Sequence, residues 1–195
     1  FIENWLAYCY AAVKEKHGEQ IKEQFGTELK VPSVPFPRLS MAESYQILKE
    51  QNYALPPETK GDLDPGAERA LGKYIQDTYG HDFIFVKDWP FSVRPFYHML
   101  HEDNPTLTKS FDLLGKGLEI TTGAQREHRY EVLASQAQQK GLSLEPIQDY
   151  LNFFRYGCPP HGGFGLGLSR LLMIMMDLPN IREAVYLFRG PNRLR

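Results

Sequence analysis

The chain has 195 residues, 42% of them hydrophobic and 13% aromatic, with a formal net charge of −2. This is long enough for one globular domain with a buried core and too apolar for a disordered chain. The near-balanced charge gives no sign of a broad nucleic-acid surface, and the longest strongly apolar run, Leu171–Met176, is too short to cross a bilayer.

Residues 4–25 read as a helix, with Trp5, Leu6, Tyr8, Cys9, Ala12 and Val13 as its apolar face and Gly26 as its stop. Phe1 is not a start methionine, which leaves a fragment and a renumbered chain as alternatives, and it is not expected to begin a signal peptide, since no basic segment or cleavage site accompanies an apolar core there. Residues 31–39 hold three prolines, which forbid a helix and limit pairing to an edge strand. Ser40 and Glu43 form a capping-box pattern for a helix that buries Tyr45, Ile47 and Leu48. After a loop at 52–64, Asp64-Pro65 caps a helix through Ala67, Leu71, Tyr74 and Ile75 that ends at Gly80. Strand-like segments follow at 81–86, 94–98, 108–114 and 117–122, then helices at 126–140 and 145–155, then a glycine-rich strand, an apolar helix and a tail. Helices followed by clustered strands without βαβ alternation predict one α+β domain over 1–195 with a largely antiparallel sheet. Cys9 and Cys158 are far apart, show no zinc-site spacing, and read as reduced thiols of a cytoplasmic protein.

The sharpest local feature is Gly162-Gly163-Phe164-Gly165-Leu166-Gly167-Leu168-Ser169-Arg170. In a strand, Gly163, Gly165 and Gly167 share one face of bare backbone on which a flat ligand can lie, while Phe164, Leu166 and Leu168 are expected to face the core. Ser169 and Arg170 then open a helix, whose free N–H groups and positive end suit phosphate. A glycine-rich strand packed closely on a helix is the plainer alternative. A dinucleotide fold lacks the GxGxxG spacing, and a Walker loop lacks its GK[ST].

A second polar cluster is Gly117-Leu118-Glu119-Ile120-Thr121-Thr122-Gly123-Ala124-Gln125-Arg126-Glu127-His128. A break or bulge at Gly123 would swing Thr122 to the side of Glu119, and a carboxylate beside a hydroxyl makes hard oxygen ligands for Mg²⁺. Arg126 can grip a carboxylate in a bidentate fork. The alternative is a structural Glu119–Arg126 ion pair.

The glycine–arginine element resembles motif 3 of class II aminoacyl-tRNA synthetases, and the second cluster resembles the signature of the archaeal-type aspartyl-tRNA synthetase family within the Asp/Asn/Lys subgroup. The resemblance implies the class II catalytic fold, seen here as its C-terminal portion, and an enzyme of aspartate-tRNA ligase type using ATP and Mg²⁺. It implies ATP binding by Gly163, Gly165, Gly167 and Arg170, metal binding by Glu119 and Thr122, and recognition of the aspartate side chain by Arg126. Arg170 and Glu119 would be its catalytic residues. Arg94, in Val93-Arg94-Pro95-Phe96-Tyr97, is expected near aspartate or in an ion pair, Asp112 is alternatively a sheet-edge acid, and His161 is expected to make a turn hydrogen bond. The match runs from Phe1 to Arg195.

Three departures accompany the resemblance. Motif 1, through which the family forms homodimers, and motif 2, with its ATP-binding arginine, are absent from these residues, as is an anticodon-binding domain. Ser169 stands where the family carries an acid, and Leu187-Phe188-Arg189-Gly190-Pro191 replaces Phe-Pro-Arg-Asp. The departures suggest a divergent paralogue. The family reaction would join aspartate to ATP as aspartyl-adenylate and then acylate tRNA, which is engaged through parts outside this chain; the 195 residues alone are expected to catalyse no aspartate-dependent pyrophosphate exchange. The alternatives are an AMP-forming aspartate–ammonia ligase and a non-catalytic truncated paralogue.

Overall fold

The fold is that of a computed structural model, which describes residues 1–191; the last four residues of the expected 1–195 domain lie outside the described residues. Helix α1 spans Ile2–Phe25 and stops at Gly26, whose left-handed backbone donates its N–H to the Lys22 carbonyl. Its buried stripe is Ile2, Leu6, Tyr10 and Ile21. Trp5 and Tyr8, expected on that face, are exposed, because the spacing of four from Ile2 through Leu6 to Tyr10 defines a narrower stripe that excludes them.

Strand β1, Arg38–Ser40, closes the proline-rich segment as an edge strand. Helix α2, Met41–Glu50, follows directly, with the Ser40–Glu43 capping box formed in both directions. Helix α3, Pro65–Tyr79, starts where the Ala67 N–H donates to Asp64 at 2.9 Å and ends at left-handed Gly80. Strands β2 (Phe83–Lys87), β3 (Ser110–Gly115) and β4 (Leu118–Arg126) follow, then α4 (Tyr130–Gln139), α5 (Gln148–Arg155), β5 (His161–Leu166) and α6 (Leu168–Met175).

The sheet order is β1-β2-β3-β4-β5, with β1 parallel to β2 and every other pair antiparallel. The α+β expectation therefore holds. Both faces of the sheet's first half are covered. Phe83, Leu113 and Ile120 pack with Leu6 and Tyr10 of α1 and with Leu171, Ile174 and Met175 of α6. Ile84, Val86 and Leu114 pack on the other side with Leu48 of α2, Leu71 and Ile75 of α3, and Trp89. This two-sided cover explains the unbroken apolar run Phe83-Ile84-Phe85-Val86, where a half-exposed strand would alternate. Each fully buried leucine among them contributes roughly 2 kcal/mol by leaving water.

Two expected elements differ. Residues 94–98 are not a strand: a 3₁₀ turn, Phe91–Val93, leads into a loop bridged by His98 to Arg126 and by Leu100 to Thr108. Gln136 of α4 donates to the carbonyls of Phe96 and His98, so a side chain satisfies backbone that a neighbouring strand would otherwise have paired. The helix expected from residue 126 begins at Tyr130, because β4 continues in register with β5 through Arg126 opposite His161.

Candidate active site

The site lies on the face of β3, β4 and β5 where helix cover ends. Asp112 is opposite Thr122 and Thr122 opposite Gly165; in the next row Ser110, Ala124 and Gly163 face one another in the same way. Residues paired across antiparallel strands share a face, so the glycine rows lie on the side of Asp112 and Thr122. A Cβ at Gly165 would meet nothing within 4 Å. The bare surface is thus an open shelf rather than close helix packing.

Glu119 and Thr122 come together, by a bulge at a different place from the one expected. Leu114 pairs with Glu119 and Leu113 with Thr121, so Ile120 is the extra residue. Gly123 stays in regular register between Phe111 and Phe164; a Cβ there would come within 2.4 Å of the Phe111 ring. The Thr122 hydroxyl donates to Glu119 Oε1 at 2.8 Å. On the opposite face Phe164, expected in the core, is 40% exposed and tilted against the Phe1 ring, while Leu168 is 62% exposed. Strand β5 is the last in the sheet, and the α1–α6 core seals only part of its flank.

Arg94 takes the ion-pair alternative. Its guanidinium lies 3.9 Å from the Trp89 ring centroid and bonds Asp112, with both side chains largely buried. Asp112 Oδ1 has no hydrogen-bond partner, which leaves an acceptor buried beside the Glu119–Thr122 pair. Burial, with the Glu119 charge adding to it, raises the Asp112 carboxyl to about 6 against the pull of Arg94.

Arg126 has no ion pair among the described residues, so the Glu119–Arg126 alternative is not formed. Its guanidinium sits over the Tyr97 ring at 4.6 Å and would meet a Cβ on Gly163 at 3.7 Å. The fork is therefore held against the shelf with its charge uncompensated. His98, behind it, is buried and lowered to about 4, first by burial and then by Arg126 and Arg94. Arg170, in the first turn of α6, donates from Nη1 to the Glu119 carbonyl at 2.7 Å. Gly167 precedes α6 and its N–H donates to the Ile120 carbonyl. His161 makes a turn hydrogen bond, Nδ1 to the Pro159 carbonyl at 3.0 Å.

One acid at the site had no local signal in the sequence. Glu68, in the first turn of α3, accepts the Glu119 N–H at 3.3 Å across 51 residues. Burial, then the charges of Glu119 and Asp112, raise its carboxyl to about 7. Nothing in Asp64-Pro65-Gly66-Ala67-Glu68 marks Glu68 as more than a helix-start acid.

The group offers clustered hard oxygens, a flat open backbone shelf and two arginines at its rim, a set suited to a divalent cation, a planar ring and anionic groups. A family profile described as tRNA synthetases class II (D, K and N) matches residues 1–189. The chain belongs to that family. Among curated class II relatives, the aspartate–tRNA(Asp/Asn) ligase of Aeropyrum pernix is 45% identical over 181 residues, covering 92% of this chain and 41% of the relative. The aspartate–tRNA(Asp) ligase of Pyrococcus furiosus is 40% identical over 193 residues, 99% of this chain and 43% of the relative. The chain thus spans less than half the length of these synthetases. Among solved class II structures, an aspartyl-tRNA synthetase of Entamoeba histolytica superposes with a TM-score of 0.91 at 31% identity, covering 99% of this chain and 40% of that one. The asparaginyl-tRNA synthetase of Pyrococcus horikoshii gives 0.87 at 30% identity, covering 98% and 45%. Among the described residues of this synthetase-family chain, no helix is long and apolar enough to cross a membrane.

Proposed function

We propose that this chain is the C-terminal part of an aspartyl-tRNA synthetase-like catalytic domain, which activates aspartate with ATP and passes it to tRNA in the cytoplasm, with motif 1-mediated dimerisation and tRNA contact lying outside these residues. The observation that carries this reading is the uncompensated Arg126 fork at the edge of the glycine shelf, farther along the strand that also bears the Glu119–Thr122 oxygen pair. A cation, an adenine and a side-chain carboxylate each find a matching surface within three adjacent strands.

In this reading Gly163, Gly165 and Gly167 receive adenine and ribose, since only glycine leaves the shelf flat. Arg170, tied to Glu119 at the mouth of the shelf, stabilises charge on the phosphates. Arg126 takes the aspartate side-chain carboxylate, and Arg94 supports the site through Asp112. Glu119 and Thr122 would hold Mg²⁺, a fit supported by the unpartnered oxygen of buried Asp112 beside them. Bound there, Mg²⁺ would supply charge neutralisation on the phosphates; the aspartate carboxylate attacks the α-phosphorus as the α–β phosphoanhydride bond breaks and pyrophosphate leaves. The residues themselves act by positioning: carboxylate held at Arg126, nucleotide laid on β5, and reacting atoms brought in line.

The test is titration of the chain with a non-hydrolysable aspartyl-adenylate analogue and Mg²⁺, followed by calorimetry. Binding that is lost in Arg126→Ala and that discriminates against the asparaginyl analogue is expected. Absence of binding, or binding unchanged by Arg126→Ala, would overturn the assignment.

A further inference from the structure

Glu119 lies where β4 loses its partner on one side. Strand β5 pairs with β4 only as far as Thr121 opposite Leu166. Toward Leu118, the edge of Glu119 that faces away from β3 has no strand to bond. In an antiparallel strand the N–H and C=O of one residue point to the same side. Both are met by side chains. Glu68 of α3 accepts the Glu119 N–H at 3.3 Å, and Arg170 of α6 donates to the Glu119 carbonyl at 2.7 Å. An acid and a base from two helices thus replace the missing strand at the residue beside the Ile120 bulge.

The approach of α3 that makes this possible is close. A Cβ on Gly72 would lie 2.5 Å from the Gly117 nitrogen, and one on Gly117 would lie 2.7 Å from the Arg69 Cα. The β3–β4 turn, with Lys116 and Gly117 both at positive φ, is therefore seated directly on the α3 backbone. Glu68 is one helical turn from Gly72 and shares its face, so the same contact aims its carboxyl at Glu119.

We propose that Glu68 is a positioning residue: by holding the Glu119 main chain at the bulge, it directs the Glu119 carboxylate toward Thr122 and sets how tightly that oxygen pair holds a divalent cation. This rests on reading Glu119 and Thr122 as the cation site. Glu68 is placed behind Glu119 and acts through its backbone, so the property required of it is an acceptor oxygen, not a charge.

Mn²⁺ titration of the full chain, followed by electron paramagnetic resonance, tests this alongside amide exchange at Glu119. Glu68→Ala is expected to weaken Mn²⁺ by about fivefold, the scale of one lost hydrogen bond, and to speed exchange of the Glu119 amide. Glu68→Gln keeps an acceptor and is expected to restore most of both. If Gln behaves like Ala, the group acts through its charge and the positioning role is overturned. If Glu119→Gln abolishes Mn²⁺ binding while Glu68→Ala leaves it unchanged, this inference fails and the cation site stands. If the unsubstituted chain binds no Mn²⁺, or Glu119→Gln leaves binding intact, the cation site fails and this inference with it. Should Glu68→Ala not fold, exchange of the Glu119 amide in the unsubstituted chain decides: a rate equal to that of an exposed amide refutes the clamp.

Discussion

The Arg170 guanidinium is bonded to the Glu119 carbonyl at 2.7 Å yet stays 3.9 Å from the Glu119 carboxylate. The arginine is anchored by main chain, which leaves the acid free for a cation and the rest of the fork free for phosphate. Arg170→Lys keeps the charge but loses the fork, so it is expected to weaken the adenylate analogue by about tenfold or more. Calorimetry on the chain reads this directly, and equal affinity for the lysine variant would remove Arg170 from the site.

Arg126 stacks on Tyr97 without an acid partner, so its removal costs the fold little. Arg126→Ala is expected to move the melting temperature by no more than about 2 °C, in line with a surface substitution. Loss of the aspartyl analogue should be far greater than loss of ADP affinity. A parallel fall in both would point to a general defect of the shelf.

Gly165 and Gly123 sit in neighbouring strands and should respond oppositely. Nothing lies within 4 Å of a Cβ at Gly165, so Gly165→Ala should leave stability equal or raise it by about 0.5 kcal/mol while weakening nucleotide binding. Gly123→Ala drives a methyl into the Phe111 ring and is expected to cost about 1–3 kcal/mol. Urea unfolding of the two variants, paired with ADP titration, separates the two effects.

Two groups give the stability curve opposite slopes. Burial, with Arg126 and Arg94 adding to it, lowers His98 to about 4 from the ordinary histidine value of about 6.5. The unfolded chain therefore takes up the proton first, and stability is lost as the pH falls from about 6.5 toward 4. Burial raises Glu68 to about 7 from 4.5, with Glu119 and Asp112 adding to the shift, so its contribution is present at low pH and lost as the pH rises through 7. Glu68→Gln should flatten the neutral side of a melting-temperature profile, and His98→Gln the acidic side. A Glu68→Gln profile parallel to the parent's above pH 5 would contradict the burial argument.

The local marks in the sequence were reliable where one residue's chemistry decides the geometry. Ser40 and Asp64 cap helices through their side-chain oxygens, and Gly26 and Gly80 stop them by taking the left-handed backbone conformation. The glycine shelf and the meeting of Glu119 with Thr122 were also legible, because strand alternation converts spacing into faces. The bulge was legible only as a need. Its place at Ile120 follows from pairing with β3, and Gly123, the residue that looked permissive, is small because two phenylalanines press on it. Glu68 was invisible because its role depends on α3 meeting a turn some fifty residues downstream. The strand expected at 94–98 failed for a related reason: Gln136 supplies hydrogen bonds that a propensity scale assigns to a neighbouring strand.

The sheet is arranged in chain order, β1 through β5, and the shelf uses only the last three strands. Only β3 and β4 are joined by a short turn, at Lys116 and Gly117, so this pair closes its loop at the least cost and can form a hairpin early, whereas β5 returns to β4 only after α4 and α5. As the chain leaves the ribosome, Glu119, Thr122 and Arg126 emerge before the glycines of β5 and before Arg170. The carboxylate side of the site can therefore assemble first, and the nucleotide side closes onto a hairpin already in place.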